Sequence, residues 1–316
     1  MLWVLRRIGV SLALVWIVAS IVFMALHVVP GDPAELLLSS GGAAPDPATV
    51  EDLREKLGLN RPLIDQYGYF LNGIVHGDLG TSLVDDYPVL DEIGLRLPRT
   101  LELILAGALM AIIVAIPTGT WAALRRGRLF DRAASAIAGL LLSVPVFVVG
   151  TLLVLVLAQT LHLMPAGGYV PLMQSPRQHF TLLFLPALAI AQGLSAVLFR
   201  MTRASVLDVL SKDFVRTARA KGLAPKRVLL RHVLRNALTP VLTVLGLHMG
   251  ALLGGTVLVE YVFNWPGLST PLLEAVDARD YPMVMGIVLT ISALFLLINL
   301  VMDLLYAVLD PRIRAS

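Results

Sequence analysis

The chain contains no cysteine, which excludes disulfide bonds, thiolate metal ligands and a cysteine nucleophile. Charge is also scarce, because Asp, Glu, Lys and Arg make up 15% of the residues, against about a quarter in ordinary soluble domains. Hydrophobic residues make up 57%, and the charges are collected into a few segments between long uncharged stretches. We therefore expect an all-α integral membrane protein.

Motifs for catalysis and nucleotide binding are missing as well. No G-x-x-x-x-G-K-[ST] phosphate loop occurs, and none of the four lysines precedes a serine or threonine. Neither H-E-x-x-H nor G-x-S-x-G is present, and the six histidines show no metal-ligand spacing. We predict no enzymatic activity, no cofactor and no metal site in this chain. The basic residues lie beside apolar stretches without interleaved aromatics, which argues against nucleic acid as a partner.

Six uncharged stretches are long enough to cross a membrane, which takes about 20 mostly apolar residues. They are Gly9–Val29, Leu103–Leu124, Ala133–Leu161, Phe180–Phe199, Asn236–Val259 and Met283–Met302. We predict that Pro145 kinks the third stretch. The first stretch follows a basic pair, as a signal peptide would, but it is longer than the usual signal core of about 7–15 residues. We interpret it as a retained helix.

The distribution of Lys and Arg predicts the orientation in the membrane. With six spans, 18 of the 25 basic residues fall on the side of the two termini, and 12 of the 22 acidic residues fall in 30–99. We therefore expect both termini in the cytoplasm and divide the chain into a first helix with its tail (1–29), an external segment (30–99) and a core of five spans (100–316). Pro47, the acids after it and Gly58 predict a short helix in the external segment.

The loop 200–235, the longest on the predicted cytoplasmic side, is rich in basic residues and carries two predicted short helices. The first covers about 214–221, and Gly222 follows as a left-handed helix stop. Ala224 and Pro225 begin the second, since proline is favoured in the first turn of a helix. It continues towards the fifth membrane stretch.

The first short helix carries an apolar side made of Phe214, Val215 and Ala218. A helix of this length is not stable alone in water, so it must dock against its own membrane domain or against a cytoplasmic partner. Alternatively, the charge of the loop only fixes the topology and contacts anionic lipid headgroups. The finer pattern of the segment favours docking.

The same loop carries a resemblance to a known family. The runs "TARAKGL" and "LRHVLRNALTPVLTVLG" resemble the coupling segment of permease subunits of ATP-binding-cassette (ABC) importers, and more narrowly of the dipeptide and oligopeptide subfamily. Ala218 and Gly222 of the general pattern are kept, whereas Arg216 and Thr217 replace its Glu and first Ala. Pro240 lies further along than in the general form. The runs "VPGDPAE", "RLPRTLELILAG", "EYVFNWPGL" and "LDPRIR" extend the resemblance over nearly the whole chain.

The resemblance implies a type I ABC importer permease fold with six transmembrane helices in a bacterial inner membrane. It also implies the partners, which are a second homologous permease, two cytoplasmic ATPases that hydrolyse ATP, and an external substrate-binding protein. Short peptides are the expected substrates, with glutathione, nickel chelates or opines as alternatives. The ATPase contact implied by the resemblance consists of Phe214, Val215, Arg216, Thr217, Ala218, Arg219, Ala220, Lys221 and Gly222.

Polar and small residues within the spans raise further expectations. Gly246, Gly250 and Gly254 lie four apart on one face of the fifth stretch, an arrangement that lets membrane helices approach closely. We predict helix packing there, with a pore-lining face beside the second permease as the alternative. Gln192 lies in the middle of the fourth stretch, and we expect an interhelical hydrogen bond rather than a substrate contact.

The loop between the last two stretches mixes Trp265 and Tyr281 with acids, and we expect it at the membrane–water interface. In the family that the chain resembles, this loop lies outside, where the binding protein docks. The segment 30–99 is a second candidate docking surface.

Two other classes of membrane protein fit the sequence less well. A self-sufficient secondary transporter places ionisable residues deep within its spans, and none of the six stretches carries a charge. An intramembrane enzyme needs a catalytic constellation, which the sequence lacks.

Overall fold

The computed structural model describes residues 2–28, 34–35, 46–56 and 58–309, and their backbone is predominantly helical. The predicted boundary between residues 29 and 30 and most of the terminal run "LDPRIR" lie outside these ranges. The helices are α1 Leu2–Val28, α2 Pro47–Lys56, α3 Leu63–His76, α4 Val89–Leu124, α5 Leu129–Ser143, α6 Val146–Leu153, α7 Pro176–Leu210, α8 Asp213–Ala220, α9 Pro225–Arg227, α10 Arg235–Val262, α11 Ser269–Ala278 and α12 Tyr281–Leu309. The π-helical segments Val154–Thr160 and Val228–Leu234 continue α6 and α9.

Within the described residues, five helices are long and apolar enough to cross a membrane. They are α1, α4, α7, the continuous rod from α9 to α10, and α12; the pair α5 and α6 adds a sixth if it is one bent span. Each of the six predicted stretches thus coincides with a helix or with the bent pair. The chain divides into two compact units, one of residues 1–99 with 267–297 and the other of residues 100–266 with 298–316.

The break between α5 and α6 lies at the proline that the sequence singles out, but it is much more than a kink. The two helix axes differ by 104°. Val144 is extended (φ −101°, ψ 124°), because a residue before proline is pushed out of the helical region, and Pro145 itself has ψ 143°. Two successive non-helical residues therefore end one helix and start another in a new direction.

The core of the second unit is built by close contact between α4 and α7. Gly107, Ala111, Ala115 and Gly119 are all buried and lie four residues apart along α4. A Cβ atom on Gly119 would lie 2.8 Å from the backbone oxygen of Phe199, and one on Gly107 would lie 2.6 Å from a methyl carbon of α7. The two helices therefore approach closely at this stripe of small residues.

Trp265 in the loop after α10 has no exposed surface, so its ring does not belong to a belt of aromatic side chains that face lipid. The position of the loop at the membrane–water interface stays a prediction. Tyr169 packs edge-on against its ring at 5.0 Å between centroids, and His179 does so at 6.1 Å. The Nε2 atom of His179 lies 2.6 Å from Oε1 of Glu102. The tryptophan is thus the centre of an internal aromatic cluster.

The first unit is held together by contacts between residues far apart in sequence. Asp280 accepts hydrogen bonds from the Ser82 hydroxyl at 2.5 Å and from the Leu83 backbone N–H at 3.2 Å. The hydroxyl groups of Ser20 in α1 and Tyr67 in α3 lie 2.6 Å apart. The short helix predicted after Pro47 is confirmed as α2, and Gly58 after it has a positive φ of 68°.

Candidate functional site

The basic loop forms a short helix, α8, with sharply defined ends. Lys212 before it is extended (φ −73°, ψ 147°), and Asp213 is its first residue. Gly222 has φ +77°, a left-handed value that an L side chain would strain, and its N–H donates to the Arg219 carbonyl at 2.9 Å. Leu223 then donates to the Ala218 carbonyl at 3.3 Å. The predicted helix and its glycine stop are therefore confirmed.

One face of α8 packs against the chain's own membrane domain. Val215 is fully buried and Ala218 is 7% exposed. They share a cluster with Ala123, Val206, Val209, Val228, Val233 and Ala237. Because a helix of eight residues cannot hold its shape alone in water, this contact supplies the stability that α8 lacks.

Phe214 departs from the predicted apolar side, since it is 45% exposed while Val215 next to it is buried. Of the three residues on the predicted apolar side, only Val215 and Ala218 are buried against the membrane domain of the chain. The prediction for Phe214 is wrong because the chain's own domain covers a stripe only two residues wide. Ala218, although kept from the family pattern, faces inward too.

The opposite face of α8 is open to solvent in this chain. Its exposed residues are Phe214, Arg216, Thr217, Arg219, Ala220, Lys221 and Gly222, and we call them the outer face of α8. Arg216 pairs with Asp213 at 3.6 Å, with both side chains largely exposed, so the pair adds little stability. The outer face is therefore cationic, carries one protruding aromatic ring, and has small residues near its centre and end.

The packing beneath α8 connects it to a membrane helix. Val228 and Val233 of the π-helical segment are both buried in the cluster below α8. That segment continues without a break into α10, which runs for 28 residues. A displacement of α8 would therefore be passed to α10 through buried contacts rather than through a flexible linker.

An ion pair around a buried carboxylate joins α5 to α7. Arg203 in α7 donates to Asp131 in α5 with two nitrogens, Nε to Oδ1 at 2.5 Å and Nη2 to Oδ2 at 2.8 Å. The backbone N–H of Gly127 also donates to Asp131, at 2.8 Å, and the residue is 3% exposed. No sequence motif marks this brace; its one signal is that Asp131 is the single acid in the basic loop 124–132.

The glycines predicted to pack in α10 do not behave alike. Gly246 and Gly250 are buried, but Gly254 is exposed. Among the described residues, no heavy atom would lie within 4 Å of a Cβ placed on Gly254. The choice between packing and pore lining therefore stays a prediction for this face, and Gly254 has an open surface beside it.

The C-terminal end of α10 holds a buried acid that no sequence motif marks. Glu260 near the end of α10 is 1% exposed and accepts a hydrogen bond of 2.6 Å from the Thr100 hydroxyl. The sequence offers one sign of this burial, which is that Glu260 directly follows a long apolar run. Burial with a hydroxyl donor fits a structural tie between α10 and α4 rather than a transport group.

Comparison with known proteins decides the family. The family described as binding-protein-dependent transport system inner membrane component matches residues 115–315, and the N-terminal region of such membrane components matches residues 1–104. The chain belongs to this family. It is a multi-pass membrane protein and a transmembrane permease subunit of an ABC importer. Members of this family are membrane components of transport systems and not enzymes themselves.

The relatives with full-length similarity include glutathione permeases. The glutathione transport system permease protein GsiC of Escherichia coli (strain K12) is 42% identical over 312 residues, which is 99% of this chain and 98% of that protein. GsiC of Shigella flexneri serotype 5b is 41% identical over the same coverage. An inward-facing structure of the MetNI methionine ABC transporter matches with a TM-score of 0.56 at 16% identity, covering 69% of this chain and 96% of that one. At that identity the likeness concerns the fold alone.

Proposed function

We propose that this permease forms half of the translocation pathway of an ATP-driven importer for short peptides, with glutathione as a candidate substrate. The observation that carries the substrate class is the 42% identity to GsiC along 99% of the chain. A second, related permease would supply the other half, and an external binding protein would deliver the peptide. The complex would lie in a bacterial inner membrane with both termini of this chain in the cytoplasm.

The proposed role of α8 is to receive the movement of an ATPase. Its inner face, Val215 and Ala218, is already occupied by the chain's own domain, so a partner can bind only the outer face. Thr217 and Ala220 are small enough for the helix to enter a groove, and Phe214 offers an exposed apolar anchor of the kind that dominates protein interfaces. Two ATPases that close on ATP would then push two such helices and rock the membrane domains between two states.

The buried path from α8 supports this assignment. A coupling element must be rigid, and α8 is fixed to the π-helical segment Val228–Leu234 by Val215 and Ala218. That segment leads straight into α10, so a push on the outer face would tilt a membrane helix. Lipid headgroups explain the charge of the loop but not this packing.

The decisive experiment compares substitutions on the outer face and elsewhere in the complete transporter. The Ala220→Trp variant fills the outer face without disturbing the fold, because Ala220 is exposed. We expect ATP hydrolysis that the loaded binding protein no longer stimulates, together with uptake of Ala-Ala or glutathione reduced at least tenfold. The Ala133→Trp variant makes the same change at an exposed position of α5 and should behave as wild type.

Two results would contradict this proposal. Normal stimulation and uptake in the Ala220→Trp variant would remove α8 from the coupling path. Co-purification of a tagged chain without any ATPase or second permease would remove the importer assembly itself.

A further inference from the structure

A groove of about 290 Å³ lies in the second unit beside the break between α5 and α6. Its polar residues and glycines are Gln192 and Gly193 of α7 and His248, Gly255 and Thr256 of α10. The other lining residues, including Val144 at the break, are aliphatic. We call it the Gln192 groove. Its volume is slightly below the range of about 300–1,000 Å³ for small-molecule pockets, so it suits part of a substrate.

Gln192 is the unusual residue of this groove. It is 8% exposed, and its Nε2 donates to the Val144 carbonyl at 3.4 Å. That contact confirms the interhelical hydrogen bond expected from the sequence. Among the described residues, however, the Oε1 atom has no hydrogen-bond partner. A buried acceptor without a donor is unfavourable, and such exceptions in folded proteins call for an explanation.

The polar groups of the groove suit a neutral N–H donor. Because Nε2 is oriented by the Val144 carbonyl, the free atom is an acceptor, which disfavours a carboxylate. Thr256 donates its hydroxyl hydrogen to the Leu253 carbonyl at 2.9 Å, so it too presents lone pairs. None of the described residues that line the groove is Asp or Glu, so a bare ammonium would lack a counter-ion.

The start of α6 brings backbone N–H groups close to the groove. The first backbone N–H groups of a helix have no partner within the helix, and α6 begins at Val146, which lines the groove. His248 of α10 also lines it. The free acceptor of Gln192 and backbone N–H groups at the start of α6 would together suit the N–H and C=O of one peptide bond. Broken helices near the middle of a membrane commonly supply such free backbone groups to a substrate.

Glycines keep the groove open on two helices. A Cβ atom on Gly193 of α7 or on Gly255 of α10 would meet no heavy atom of the described residues within 4 Å. Elsewhere in the unit, glycines such as Gly107 and Gly119 let helices touch, and a Cβ there would clash. Gly193 and Gly255 thus leave open space in the groove, next to their own backbone, that no other described residue fills.

We propose that the Gln192 groove is a substrate-contact site of the translocation pathway, in which Gln192 Oε1 accepts a hydrogen bond from a peptide N–H of the substrate. This inference rests on the proposed peptide-importer function and assigns the substrate contact within it. Gln192 would hold the break through the Val144 carbonyl and contact the passing peptide with Oε1. This revises the sequence-based expectation that Gln192 makes an interhelical hydrogen bond rather than a substrate contact.

The test uses the complete transporter in proteoliposomes and two peptides, Ala-Ala and its analogue with a methyl group on the peptide nitrogen. The analogue cannot donate the hydrogen bond. The measured quantity is the uptake of Ala-Ala divided by the uptake of the methylated analogue. The binding protein is the same in every measurement, so its own preference cancels when this ratio is compared between permease variants. We expect the Gln192→Leu variant to lower this ratio about three- to tenfold, the size of one hydrogen bond.

The matched control is Gln159→Leu, the same change at an exposed glutamine of the π-helical segment after α6, and it should leave the ratio unchanged. A ratio that is equal in the wild type and the Gln192→Leu variant would overturn the groove assignment while leaving the importer function intact. If the wild-type complex imports neither these peptides nor glutathione, the peptide-importer function fails and the groove assignment falls with it.

A second variant fills the groove without removing a hydrogen bond. Gly255→Val places its side chain in open space, so we expect an unchanged melting temperature but at least a tenfold loss of Ala-Ala uptake. Gly139→Val is the control, since Gly139 is an exposed glycine of α5 with the same free space and does not line the groove. Normal uptake by the Gly255→Val variant would contradict a substrate path through the groove.

Discussion

The Val215→Ala substitution tests whether α8 is held by its own domain. Val215 is fully buried, and the change removes two methyl groups from the cluster that also contains Val206 and Val233. At about 0.8 kcal/mol for each buried carbon, with a further contribution from the cavity left behind, the loss is about 2 kcal/mol. Because so few residues attach α8 to the domain, we expect the loss to act locally on this helix.

The assay is hydrogen exchange of the amides in residues 213–222, measured on the chain in lipid nanodiscs. A local opening free energy lowered by about 2 kcal/mol raises the exchange rate about 20- to 30-fold. Thr217→Ala is the control, because Thr217 is exposed and bonds only to the Asp213 carbonyl of the same helix, at 3.0 Å; it should change the rate by about threefold or less, as a surface substitution does.

Equal exchange in the wild type and the Val215→Ala variant would refute the reasoning, since α8 would then be ordered by something other than its inner face. A matched loss of exchange protection throughout α10 would also refute it, because the damage would be global. A rise in the exchange rate confined to α8 would confirm that this short helix depends on its two buried residues, Val215 and Ala218.

Two further predictions concern the helix contacts of the second unit. Arg203→Met should lower the free energy of unfolding by about 2–3 kcal/mol, because the buried carboxylate of Asp131 is left unpaired. Asp131→Asn should cost less, because the Arg203 side chain is 29% exposed, and the double variant should lose less than the sum of the two. Thermal unfolding in detergent measures this, and simple additivity would contradict the brace. Gly119→Ala should lower the free energy of unfolding by about 1–3 kcal/mol, because its Cβ would lie 2.8 Å from a backbone oxygen of α7. Gly139→Ala, the control, should stabilise the protein slightly. Equal melting temperatures of the two variants would contradict the close helix contact.

Local chemistry explains what could be predicted from the sequence. Gly222 ends α8 because its φ of +77° suits glycine, and Pro145 breaks the third span because proline acts on its own neighbours. Each signal depends on adjacent residues alone. The extent of the break, 104°, depends on the directions that neighbouring helices impose, and the sequence does not contain that information locally.

Burial by distant residues explains what could not be predicted. Trp265 is typical of an interface residue by type, but Tyr169 and His179 enclose it, and both lie more than 80 positions earlier. Gly254 follows a packing pattern, yet no described neighbour reaches it. The unpaired oxygen of Gln192 likewise emerges only once the break at Val144 is placed beside α7.

The absence of cysteine allows the central claim to be tested directly with single-cysteine variants. In the assembled complex, the Ala220→Cys variant should cross-link to an ATPase subunit through a short thiol reagent, and in intact cells an impermeant maleimide should label it only after the membrane is opened. The Val215→Cys variant, on the buried inner face, should do neither. Labelling of Ala220→Cys from outside intact cells, or cross-linking from position 215 rather than 220, would contradict the assignment of the outer face of α8 as the surface that an ATPase moves.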